Sequence, residues 1–167
     1  LELRKDVSTL LSAIALLDDS TRLTVAGTGP TEGLIRRTAE SLGIADRVSL
    51  LGAVSRQKVA ELMQSHKVFA LPSRLETFGI VCAEALSCGT PVVATRCGGP
   101  EYVVPEFGGR LVPVGDAEAF AGALRQVLMN PGEFSPRRLH DYVAENFSMT
   151  SVATRLQQVY HDVAGNA

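Results

Sequence analysis

The chain has no tryptophan, and aromatic residues make up only 5% of its 167 positions. Single-stranded nucleic acid is held by stacking its bases on aromatic rings along a basic groove, so that class of partner is disfavoured at once. Charge points the same way. Sixteen Lys and Arg stand against eighteen Asp and Glu, a net of −2, with no basic block, and no nucleic-acid surface is expected. The three cysteines, Cys82, Cys88 and Cys97, form no CxxC pair, which favours reduced thiols over a metal site or a disulfide framework. His66, His140 and His161 have no partners at metal or triad spacing and read as surface histidines. Ser73 lacks the glycines of a nucleophile elbow. No apolar run approaches the ~18 residues of a membrane span, and no signal peptide is visible. The first residue is Leu1 rather than Met, as in a fragment of something longer. What remains is an ordinary apolar content of 46%, enough for one domain with a proper core.

Short β-type runs alternate with helical stretches. Runs at 22–26, 47–51, 67–71, 91–95 and 110–113 are apolar, and most leave through Gly or Pro, the pattern of parallel strands buried on both faces. Between them, 6–18, 31–43, 56–66, 78–88 and 117–129 carry helical spacing, with Ser55 and Asp116 as caps. A further helix starts at Pro136, and 149–164 aligns Val152, Leu156, Val159 and Val163 on one face. The alternation predicts an α/β domain with a doubly wound, Rossmann-like parallel sheet spanning 1–167, with 137–167 as closing helices. The order has a gap. The chain opens on a helix, whereas a 3-2-1-4-5-6 sheet needs a strand before it, and that strand would be central. Either a first strand is missing upstream of Leu1 or something else fills its place.

Ligands of open α/β sheets bind beyond the carboxyl ends of the strands. Three glycine-bearing loops fall there: 27–30, 72–79 and 96–101. The second leads into Gly79-Ile80-Val81-Cys82-Ala83-Glu84-Ala85-Leu86, in which Glu84 is the only charge between Phe78 and Cys88. Such a segment reads as a buried helix, and a buried carboxylate needs a specific partner. A helix starting near Phe78-Gly79-Ile80 offers free N–H groups and a positive dipole end to phosphate or sugar oxygens. Glu76, just before it, and Glu84, two turns on, are acceptors for vicinal hydroxyls. Taken singly, each glutamate has a plainer reading: Glu76 as a helix-start charge, and Glu84 as the ion-pair partner of Arg96 or Arg74. The Gly27-Thr28-Gly29 turn has G-x-G-x-x-x-G rather than dinucleotide spacing, and a structural turn is the better reading.

The residues Pro72-Ser73-x-x-Glu76-Thr77-Phe78-Gly79-Ile80-Val81-x-x-Glu84-Ala85-Leu86, followed by Gly89-Thr90-Pro91-Val92-Val93-Ala94-Thr95 and Gly98-Gly99-Pro100-Glu101, resemble the donor-binding half of retaining GT-B glycosyltransferases, group 1 (family four). Lys5-Asp6-x-x-x-Leu10-Leu11 resembles that family's Lys-Gly-x-x-x-Leu-Leu, with Asp6 where glycine is usual.

The resemblance implies a hexosyltransferase that takes a nucleotide diphospho-sugar as donor and retains anomeric configuration. Glu84 would hold the ribose and Glu76 the hydroxyls of the transferred sugar. Thr77, Phe78, Gly79 and Ile80 would line the donor, with backbone amides touching sugar and diphosphate. Lys5 would neutralise the diphosphate, and Val54 would face the base. No cofactor is implied beyond the donor itself, and with no Asp-x-Asp motif in place no metal either. An acceptor, sugar or lipid-linked, would approach from an N-terminal domain that this chain lacks. Any membrane contact would come through that part, so the resemblance implies a cytoplasmic protein of polysaccharide biosynthesis, working free or at the inner membrane face. The fragment alone is expected to be inactive. The alternative is a non-catalytic nucleotide- or sugar-binding module on the same fold.

Overall fold

The computed structural model describes residues 1–164, so the last three residues of the closing segment 137–167 lie outside the described residues. After a short 3-10 turn at Leu3–Lys5, strands and helices follow in the order α1 (Val7–Ala15), β1 (Leu23–Ala26), α2 (Glu32–Ser41), β2 (Val48–Gly52), α3 (Arg56–Ser65), β3 (Phe69–Leu71), α4 (Ile80–Ser87), β4 (Val92–Thr95), α5 (Pro100–Val103), β5 (Gly109–Val112), α6 (Ala117–Met129), α7 (Pro136–Phe147) and α8 (Met149–Ala164). The predicted strands and helices are all present. Only the single turn of α5 has no counterpart in the sequence reading, because Gly98-Gly99-Pro100 masks a four-residue helix behind turn residues. Ser55 and Asp116 cap their helices as expected, accepting from the amides of Lys58 and Ala119.

Every strand pairing is parallel. The strands nevertheless form two pieces, β1-β2 and β3-β4-β5, rather than one continuous sheet. The break separates β1 from β3, where a 3-2-1-4-5-6 order places its central strand. Burial follows from this. β4, paired on both sides, is buried at all four positions, whereas β2 alternates between half-buried and exposed and β1 buries only Val25. Burial on both faces, expected for every strand, therefore holds only for β4.

The core joins Leu10, Leu11 and Ile14 of α1 to Phe120, Leu124 and Val127 of α6, and both to Val92 and Val93 of β4 and Leu86 of α4. Each of these large side chains contributes ~1.5–3 kcal/mol by leaving water. One polar device stands among them. The buried guanidinium of Arg47 donates to the carbonyls of Ile14, Leu17, Asp18 and Thr21 and to the Asp19 carboxylate. It satisfies carbonyls that the end of α1 leaves open and ties that end to the start of β2. His66 is likewise not a surface residue. It is half-buried, with Nε2 on Thr24 Oγ1 at 2.9 Å and Nδ1 on the Leu62 carbonyl at 2.7 Å, so it fastens the end of α3 to β1. α8 packs against α7 and leaves Val152, Leu156, Val159 and Val163 exposed, as their alignment suggested.

Candidate functional site

The loop between β3 and α4 is buried at 72–73, 76 and 79 and exposed at 74–75 and 77–78. Pro72 and Ser73 are buried, and the Ser73 carbonyl accepts from Thr95 Oγ1 of β4. Glu76 then runs beside the loop that follows β4, its amide donating to the Cys97 carbonyl (3.1 Å) and its carbonyl accepting from Gly99 (2.8 Å). The glycines make this possible. Gly98 has φ of 107°, and a Cβ on Gly99 would collide with the backbone of Phe78. Gly98-Gly99 was expected to bring backbone close to a ligand. It brings two loops close to each other instead. The Gly27-Thr28-Gly29 turn is structural too, with the Gly27 amide on the Gly52 carbonyl and the backbone of Leu1 lying over Gly29.

Glu76 is buried, and neither a helix-start charge nor a free acceptor. Its Oε1 accepts from Lys5 Nζ at 2.5 Å and from Ser73 Oγ at 2.7 Å. Burial pushes its carboxyl pKa up, but the hydrogen bonds from Lys5 and Ser73 outweigh burial and hold it below the ordinary carboxylate value. The two residues assigned to sugar and diphosphate are thus paired with each other.

Glu84 departs from expectation. It is exposed, not buried. α4 does bury Cys82, Ala83, Ala85 and Leu86, but its other face is open and carries Ile80 and, one turn later, Glu84. An eight-residue helix of small and apolar residues hides its two-sidedness, because Ile80 and Val81 look as buried in sequence as Leu86. The Glu84 carboxylate also has no hydrogen bond or ion pair among the described residues, although its backbone carbonyl accepts from Ser87 Oγ. Arg74, one of its suggested partners, pairs with Asp6.

Between the glutamates lies a row of unused donors. Gly79, at φ 74°, caps α4 in the left-handed conformation, and the amides of Thr77, Phe78, Gly79 and Ile80 meet no acceptor among the described residues. Successive free N–H groups around such a turn, at the positive end of a helix, form an anion-binding concavity. Thr77, Phe78, Ile80 and Glu84 are all exposed, so the concavity lies on an open shelf. Phe78 leans edge-on against Phe147, with ring centroids 5.8 Å apart. Val54 is half-buried just ahead of the Ser55 cap, at the carboxyl end of β2. Two grooves, of about 540 and 330 Å³, lie away from this shelf, between Phe107 and Tyr142 and between His66 and Phe134. No group of three or more His, Cys, Asp or Glu is placed to hold a metal ion among the described residues. No described helix is long and apolar enough to cross a membrane.

The sequence profile described as Glycosyl transferases group 1 matches residues 1–146. The chain belongs to this family. Among its relatives, D-inositol 3-phosphate glycosyltransferase of Mycobacteroides abscessus is 39% identical over 123 residues, 73% of this chain and 28% of the relative. The MMP alpha-(1->4)-mannosyltransferase of Mycolicibacterium hassiacum is 38% identical over 168 residues, 93% of this chain and 39% of the relative. Sucrose-phosphate synthase from Thermosynechococcus elongatus superposes with a TM-score of 0.84 at 30% identity, over 99% of this chain and 44% of that one. Anabaena HepE, at 24% identity and TM-score 0.83, shares the fold. The group-1 glycosyltransferase chain thus spans less than half the length of each of these proteins, and it corresponds to the C-terminal half of the GT-B fold.

Asp6, Ser73 and Arg74 joined the site without having been singled out for it. Asp6 did carry a signal, as a bulky acid where the resembled pattern has glycine.

Proposed function

We propose that this domain binds the nucleotide diphospho-sugar donor of a hexosyl transfer that retains anomeric configuration, and that it works together with an acceptor-binding domain outside this chain. The observation that carries the reading is the row of unpartnered amides from Thr77 to Ile80, set between an unpaired exposed carboxylate and an ammonium. The amides suit the diphosphate and sugar oxygens. Glu84, with all its acceptor capacity free, suits the two ribose hydroxyls. Val54 would bring backbone to the base, and its neighbours Ser55 and Arg56 offer no carboxylate, which suits uracil better than guanine. Phe78 would wall the sugar side.

Lys5 and Glu76 have to change partners for this to work. When a diphosphate arrives, the Lys5 ammonium gains a more highly charged acceptor than Glu76, and Glu76 is released toward the sugar hydroxyls, still held by Ser73. During transfer the bond from the anomeric carbon to the diphosphate oxygen breaks, negative charge grows on the leaving diphosphate, and Lys5 with the fixed amides stabilises it. The acceptor hydroxyl would approach on the leaving-group side, its oxygen bonding to the anomeric carbon while its proton passes to the departing diphosphate oxygen. A resident cofactor has no part in this scheme, and no metal is assigned one. A sugar or lipid-linked acceptor, and any work at a membrane surface, would belong to the rest of the protein.

Calorimetric titration of the chain with UDP, GDP and ADP tests the reading. It predicts one-to-one binding to at least one of them with Kd near or below ~1 mM, about −4 kcal/mol, with UDP ahead of GDP and no sugar transfer by this chain alone. Absence of binding to all three at millimolar concentration would contradict it.

A further inference from the structure

Asp6 is the one non-glycine residue with a positive φ among the described residues, at 44°. Glycine takes that conformation without strain, so an aspartate there works against its own backbone. A retained outlier points to something its side chain does. The Asp6 side chain is buried, at 8% exposure, and its Oδ2 forms an ion pair with Arg74 Nε at 3.1 Å and accepts from Thr9 Oγ1 at 2.9 Å. The neighbours of Asp6 reach the same loop. The Arg4 carbonyl accepts from the Arg74 amide at 2.7 Å, and Lys5 Nζ donates to Glu76. Three successive residues, 4 to 6, are therefore tied to 74 and 76. Two of the three ties run through Arg74, whose terminal nitrogens stay free.

We propose that Asp6 is a positioning residue of the donor site: its carboxylate clamps Arg74, and so holds the loop bearing Glu76 and the free amides in register with the turn bearing Lys5. This deepens the function proposed above and rests on it. The clamp matters because Lys5 and the amides of 77–80 belong to different segments, 71 residues apart in sequence at the Lys5–Glu76 contact. A diphosphate can use both only if their spacing is fixed before it arrives, since disorder in either would be removed at the expense of affinity. Two plainer roles predict other outcomes. If Asp6 served only α1 through Thr9, asparagine would replace it, because asparagine tolerates the left-handed conformation and keeps an acceptor. If Asp6 were only a negative charge near an anion site, its removal would tighten diphosphate binding.

The test compares Asp6→Asn, Asp6→Gly, Arg74→Met and the double variant Asp6→Gly/Arg74→Met by calorimetry with UDP and UMP, alongside thermal melting. The clamp predicts that both Asp6 variants lose about fivefold in UDP affinity, the scale of one ion pair with an exposed partner, while UMP affinity stays within about twofold. Asp6→Gly should melt no lower than the parent, and the double variant should bind UDP about as Arg74→Met does, since both changes break one contact. Unchanged or tighter UDP binding in Asp6→Asn overturns the proposal, and so does an equal loss for UDP and UMP. If the parent chain binds neither nucleotide, the functional reading fails, but the clamp is still decided by carboxyl NMR titration of Glu76. Release of Lys5 in Asp6→Asn and Arg74→Met should raise the Glu76 pKa, and an unmoved titration would overturn the clamp by itself.

Discussion

Replacing Glu84 by alanine separates a ligand-binding carboxylate from a structural one. Glu84 is exposed, its carboxylate has no partner among the described residues, and it sits on the open face of α4 beside Ile80. Nothing inside the fold is left unpaired when it goes, and alanine is the better helix former, so stability should change by no more than ~0.5 kcal/mol. The ligand should register the loss in full. Hydrogen bonds from ribose hydroxyls to an ionised acceptor are worth ~1.5–3 kcal/mol, which converts to a roughly 10- to 150-fold rise in Kd for UDP. Calorimetry measures the affinity, and urea unfolding followed by circular dichroism measures the stability. Glu76→Ala is the internal comparison. It exposes the Lys5 ammonium to the diphosphate and removes a contact only to a sugar that free UDP does not have, so its loss of UDP affinity should be the smaller. UDP binding within twofold of the parent for Glu84→Ala would refute the reasoning. So would a stability loss above ~1.5 kcal/mol, which would mean that Glu84 is a structural residue.

Arg47→Met should cost about 3 kcal/mol in urea unfolding, because it strands buried carbonyls at the end of α1; a cost below ~1 kcal/mol would mean that water satisfies them. The Glu76 pKa is lowered in the folded chain, so its contribution to stability is complete above the unfolded carboxylate value of ~4.3 and fades as pH falls through the folded one. Glu76→Gln should therefore flatten the acid limb of the stability–pH curve, and an unchanged acid limb would count against the Lys5–Glu76 pair. Burial pushes the Cys82 thiol up to about 12 and raises Cys97 as well. At pH 8 a thiol reagent should label half-buried Cys88 first and reach Cys82 only on unfolding; early modification of Cys82 would contradict the packing of α4.

The sequence disclosed the periodic elements and the loop that carries the site, because apolar spacing and turn residues are local properties. Ser55 and Asp116 could be named as caps without coordinates for the same reason. The gap in strand order was equally legible, since it depends only on which kind of element comes first. Side-chain environments set by distant segments were not legible. Whether Glu84 faces inward or outward depends on what covers each face of α4, and its composition of small and apolar residues suits either side. Glu76 looked like a ligand-facing acid, yet Lys5, 71 positions away, reaches it first. Gly98 and Gly99 announced a close approach, but their neighbour, the backbone of residues 76–78, could not be read from spacing. His66 looked like an ordinary surface residue until β1 was placed beside it, and Arg47 opened a strand run with no sign that its side chain would reach the end of α1.

The central claim is that a nucleoside diphosphate seats at the start of α4, and amide chemical-shift mapping of the chain during a UDP titration tests it most directly. The largest shifts should fall on Thr77, Phe78, Gly79, Ile80 and Glu84, with a smaller response at Lys5. Shifts confined to the groove between Phe107 and Tyr142, or no saturable shifts in residues 77–84, would contradict it.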